Sequence, residues 1–144
     1  MKRPNCALVV VLALAGAAAC AGSRENVTVE VDKSKGVIRY PVIAHPQAGG
    51  DDCTVVEWTR ERTHLKGGWT VEFQMRNNCA SSNEMGIVDK DSLFDGSSPH
   101  VVTVPAHDMR VLTLTVASGA RVGPHKSDIT FRGKNYDPDW EVDP

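Results

Sequence analysis

From Asn26 onward the dominant signal is an alternation of apolar and polar residues, and no stretch carries a 3.6-residue apolar period. Such a chain buries one face of each strand and cannot build helices around a core. Val27-Thr28-Val29-Glu30-Val31 has period two, and Asp32-Lys33-Ser34-Lys35-Gly36 then turns the chain. Val37 to Tyr40 and Val42 to Ala44 follow, interrupted by Pro41, which predicts an edge position or a bend because proline has no N–H for a sheet ladder. Residues 54–64 and 69–76, joined by Leu65-Lys66-Gly67-Gly68, predict a hairpin. Residues 77–99 are polar and turn-rich, with Leu93-Phe94 as the buried point. A second hairpin is expected from His100–Val104 and Met109–Val116 across Pro105-Ala106-His107-Asp108, then a late strand Ser127–Phe131 and a terminal one Trp140–Val142. Seven or eight short strands with regularly spaced turns predict an all-β fold, a single antiparallel β-sandwich.

The first nineteen residues are of another kind. Met1-Lys2-Arg3 is a short positive region, residues 7–15 are an uncharged apolar run, and Gly16 to Ala19 are small. That is the layout of a secretory signal peptide. Ala17-Ala18-Ala19-Cys20 resembles the bacterial lipoprotein signal, in which a lipidated Cys becomes the mature N-terminus. Ala17 departs from it, since the family prefers Leu there. The resemblance implies lipidation of Cys20 and a membrane anchored through that lipid. The rival reading is a soluble periplasmic or secreted protein cleaved after Ala19 or Ala21. The expected organisation is therefore a signal peptide at 1–19, a short tether at 20–25 and one domain at 26–144.

Removing residues 1–19 takes away Lys2 and Arg3, leaving 14 Lys and Arg against 18 Asp and Glu, a net charge of −4. A nucleic-acid binder displaces counterions from phosphates with surplus basic groups, so no nucleic-acid partner is expected. Two cysteines remain in the domain. In an exported protein a single pair is expected to be a disulfide, so Cys53 and Cys79 are assigned to one. The register of the hairpin carrying them stays open, because the apolar faces of Trp58 and Met75 put the two cysteines one step out of phase.

The run Gly123-Pro124-His125-Lys126-Ser127-Asp128-Ile129-Thr130-Phe131, followed by Asp137-Pro138-Asp139-Trp140-Glu141-Val142, resembles the closing strands of bacterial exported immunoglobulin-like or cupredoxin-like sandwich domains. That resemblance implies a fold and leaves the function open. Copper-carrying cupredoxins use two His, a Cys thiolate and a weak axial Met, with Cys, His and Met packed into one C-terminal loop. Here Cys79 is followed by Ala80-Ser81-Ser82-Asn83-Glu84-Met85 with no His, so a blue-copper centre is not expected. A looser copper or zinc site from His100, His107, Met109 and His125 is the alternative to reading them as solvated turn and strand-end residues. The acidic run 89–96 fails the calcium-loop pattern, because its fifth and sixth positions are Leu93 and Phe94. No Gly-x-Ser-x-Gly, His-Glu-x-x-His or phosphate-cradling glycine loop is present, so no catalytic residues are assigned and the chain reads as a non-enzyme. The expected function is a non-catalytic binding module at the cell envelope, free of cofactor and acting on an envelope protein or a glycan. The alternative is a cupredoxin-like His/Met metal protein.

Overall fold

The computed structural model describes residues 27–50 and 53–144. The expected signal peptide, Cys20 and the tether lie outside the described residues. Eleven strands run in the order β1 (Glu30–Asp32), β2 (Val37–Pro46), β3 (Cys53–Glu57), β4 (Thr63–Leu65), β5 (Thr70–Asn77), β6 (Asn83–Asp89), β7 (His100–Val104), β8 (Asp108–Thr115), β9 (Gly123–Phe131), β10 (Lys134–Tyr136) and β11 (Asp139–Val142). Among the described residues there is no helix. One sheet has the order β1-β2-β5-β8 with β3 also on β2. The other has the order β4-β11-β9-β6-β7 with β10 also on β9.

The fold is the expected all-β sandwich, but neither expected hairpin forms. Residues 54–64 are split, because Trp58 and the adjacent Thr59 are both buried and that breaks the alternation a single strand requires. The chain therefore crosses between sheets after β3. β3 pairs with β2, β4 pairs in parallel with β11, and β5 pairs with β2 in parallel and with β8 antiparallel. Likewise β7 pairs with β6 while β8 joins the opposite sheet, so 105–107 is a link between sheets rather than a hairpin turn. Residues 77–99 hold a strand the alternation did not reveal, β6, flanked by β7 and β9.

β2 is the central strand of its sheet. Pro41 sits in its middle, yet in the stretch between Arg39, paired with Glu30, and Ile43, paired with Glu57, where β2 has no neighbour on that edge. A residue without an N–H is tolerated there. The inner faces meet in an aromatic cluster: the Tyr40 and Trp140 rings lie 4.9 Å apart, and Phe73 and Phe94 stand edge-on to Trp140 at 6.0 and 6.1 Å. Trp140 Nε1 donates to Ser127 Oγ at 2.7 Å, so its one polar atom is satisfied inside the core.

The Cys53–Cys79 disulfide forms, with Cα atoms 5.7 Å apart, but not across a hairpin. Cys53 pairs with Pro46 of β2, and Cys79 follows β5, whose last residue Asn77 pairs with Ala44. The bridge therefore ties the strands on either side of β2 at one end of the sandwich. Asn77 braces that end. Its amide donates to Ser81 O at 2.8 Å and Val104 O at 3.0 Å, and its carbonyl accepts from the Cys79 N–H at 3.0 Å.

Candidate functional site

The sandwich is linked along one long side by the β7–β8 connection; on the other side the 58–62 crossover joins β3 to β4, and beside that crossover the sandwich is open. On the open side, among the described residues, β1 has only β2 as a neighbour and β4 has only β11, so both sheets end there in a free edge. A groove of about 1240 Å³ runs between them, lined by residues 27–29 and 31 on one flank and by 58–64 on the other. Its lining mixes the apolar Val27, Val29, Val31, Trp58 and Trp69 with polar and charged side chains. Val31 pairs with the fully buried Ile38, so its side chain faces the space between the sheets, yet it is 45% exposed because no described residue covers the edge. Val29, on the same face, packs on the core.

Two tryptophans frame this groove. Trp69 sits against Gly36: a Cβ on Gly36 would stand 2.8 Å from Trp69 Cδ1. Gly36 has φ +62°, a conformation glycine adopts without steric cost, and its carbonyl accepts from the Thr70 N–H at 2.8 Å. Trp58 is buried against Tyr136, ring centroids 5.0 Å apart, and the Arg60 guanidinium lies over its ring at 3.7 Å. A cation held on an aromatic face is oriented without a carboxylate partner.

Five basic side chains line the groove, Lys33, Arg60, Arg62, His64 and Lys66, against Glu61 and Asp143. Three of the five are engaged. Arg62 pairs with Asp139 at 3.1 Å and Glu141 at 3.3 Å, His64 meets Asp143 at 2.9 Å, and Lys66 donates to Pro144 O at 3.0 Å. Arg60 and Lys33 have no ion-pair partner among the described residues. Residues 60–62 therefore do not face residues 72–74 across a hairpin, because the crossover carries Arg62 to β11. Next to Lys33, the Ser34 hydroxyl donates to Asp32 at 2.6 Å and holds that carboxyl below the ordinary aspartate range.

The candidate metal residues are dispersed. His100 opens β7, and His107 lies three residues beyond its end with φ 55°, so about 13 Å of strand rise separates His100 from Val104 alone. Met109 lies two residues after His107, in β8, with its sulfur against the Arg76 guanidinium at 4.0 Å. His125 is buried on β9 opposite Trp140, and its Nε2 is engaged with the Arg121 carbonyl. Among the described residues no three His, Cys, Asp or Glu side chains are gathered to hold a metal ion. The donor set also lacks what blue copper needs. The connection from β9 to β11, Arg132-Gly133-Lys134-Asn135-Tyr136-Asp137-Pro138, has no Cys, His or Met, both domain thiols are in the disulfide, and Arg132 donates to Cys53 O at 3.0 Å. A blue-copper centre does not fit this end of the sandwich.

No protein-family model and no curated protein matches the chain. Solved structures do. A multicopper oxidase variant from the hyperthermophile Aquifex aeolicus is similar with TM-score 0.50 and 9% identity, over 83% of this chain and 32% of that one. Auracyanin B is similar with TM-score 0.46 and 14% identity, over 82% and 96%. A copper-binding protein solved by NMR in its apo form has TM-score 0.44 and 14% identity, over 80% and 94%. The chain spans less than half of the multicopper oxidases it resembles, 44% of one and 28% of another. At such identities the likeness shows the fold alone. The chain has a cupredoxin-like β-sandwich fold.

Proposed function

We propose that the protein is a non-catalytic binding module built on a cupredoxin-like sandwich without the copper centre, and that its binding surface is the groove on the open side. The observation that carries this reading is Arg60, held over Trp58 in a groove of mixed apolar and charged lining between two strand edges. Exposed apolar surface and a preorganised cation in one concave site are what a partner-binding surface requires. The layout of residues 1–20 supports placement at the bacterial cell envelope, anchored through lipid on Cys20. Intact-mass measurement tests that part, since an unmodified N-terminus beginning after Ala21 would remove the anchor.

A display library of random peptides, selected on the purified protein, tests the site. Ligands are expected to lose at least about tenfold in affinity to the variant Arg60→Ala/Trp69→Ala, whose folding is checked by circular dichroism. Selected ligands that bind this variant as well as the parent would overturn the assignment. So would near-stoichiometric copper or zinc in protein purified without chelators and lost on substitution of His100 and His107, which would favour a metal-handling role.

A further inference from the structure

The groove also carries features that specify what it binds, and this step rests on reading it as the binding surface. β1 (Glu30–Asp32) is an edge about 10 Å long, at about 3.3 Å per residue, approached by residues 27–29 outside the sheet, with no strand on its outer side among the described residues. An edge strand offers a row of backbone donors and acceptors, and an extended polypeptide is the ligand that satisfies them repeatedly. Beside this edge the apolar side chains recur at alternate positions, Val27, Val29 and Val31, which is the spacing an alternating strand presents in return. The groove lining is cationic in balance, with Lys33, Arg60, Arg62 and Lys66 against Glu61 and Asp143, while β1 itself carries Glu30 and Asp32. Arg60 and Lys33 have no ion-pair partner among the described residues, although the domain as a whole is acidic.

We infer that the groove takes an acidic, extended polypeptide, which adds as a strand to the free edge of β1 with apolar residues over Val29 and Val31 and carboxylates within reach of Arg60 and Lys33. The pairing supplies affinity through the backbone, and the two cations select against neutral and basic segments.

The test uses an eight-residue fluorescent peptide of alternating Val and Glu, titrated into the full protein by anisotropy. Saturable binding is expected, weakened about tenfold by either Arg60→Glu or Lys33→Glu and weakened further by added salt. The matching Val–Lys peptide should bind the Glu variants better than the parent. Strand pairing is tested separately by N-methylating alternate residues of the acidic peptide. Methylation in one phase should abolish binding and in the other leave it nearly unchanged, because only one set of N–H groups faces β1. Equal binding of the acidic and basic peptides to the parent, or indifference to both methylation phases, would overturn the inference. If the acidic peptide fails while neutral peptides or a glycan bind in a Trp69-dependent way, this inference falls and the groove stands. If selected ligands bind away from the groove, both fall.

Discussion

Gly36 and Trp69 are in direct contact, so close that a single added methyl group would stand 2.8 Å from the indole Cδ1. Gly36 closes the β1–β2 turn, and Trp69 enters β5 beside it, so one contact joins the turn behind β1 to the groove. Gly36→Ala therefore carries two costs, a left-handed φ for alanine of about 1–2 kcal/mol and displacement of the indole. Urea denaturation should show the loss of stability, and tryptophan emission should shift. Gly68→Ala is the control. Its φ is +81° with nothing within 4 Å of an added Cβ, so it should destabilise through the backbone alone and leave the emission nearly unchanged.

The disulfide closes a separation of 26 residues. Replacing both Cys53 and Cys79 with Ala should lower stability by about 3 kcal/mol in the chain-entropy account, with the fold retained. Paired chemical-denaturation curves measure it. No change in midpoint, or free thiols in the native protein, would contradict this assignment.

Ser127 and Trp140 make a buried hydrogen bond at 2.7 Å. Ser127→Ala should cost about 1–3 kcal/mol, because it leaves an indole N–H enclosed without an acceptor. Trp140→Ala should cost about 3–5 kcal/mol by opening a cavity at the centre of the aromatic cluster. A Ser127→Ala variant as stable as the parent would mean the indole finds another acceptor.

Burial raises the Tyr40 phenol well above its ordinary value. Above about pH 10 the unfolded tyrosine loses its proton while Tyr40 keeps it, so the native state binds more protons and stability falls as pH rises. The contribution is fully present below about pH 10. Melting temperatures measured from pH 8 to 11 should fall more steeply for the parent than for Tyr40→Phe, which removes the titrating group and a long 3.4 Å hydrogen bond to Thr59 O. Parallel slopes would contradict it.

The sandwich class and the cysteine pair were legible because both rest on local signals, period-two alternation and the count of cysteines in the domain. Pairing was not legible. Each run from 54 to 76 has a plausible alternation, but which strand it meets is set across the sandwich, and the adjacent buried Trp58 and Thr59 that force the crossover look like ordinary strand residues in sequence. β6 was hidden for a related reason. Met85, Gly86 and Ile87 are consecutively buried between two neighbouring strands, and a Cβ on Gly86 would meet His100 O at 2.7 Å, so that segment lacks the clean alternation of a half-exposed strand. Of the groove, Trp69 had a visible signal in its neighbouring glycines. Arg60 had none, because its position over Trp58 depends on the crossover and not on a repeat.

Backbone amide chemical shifts, mapped by NMR as a display-selected ligand is titrated into the protein, test the location of function most directly. The account predicts that the perturbed amides concentrate at residues 27–33, 58–66 and 69, along the free edges of β1 and β4. Perturbations centred instead on the opposite side at 100–108, or on the disulfide end at Cys79, Arg132 and Gly133, would contradict it.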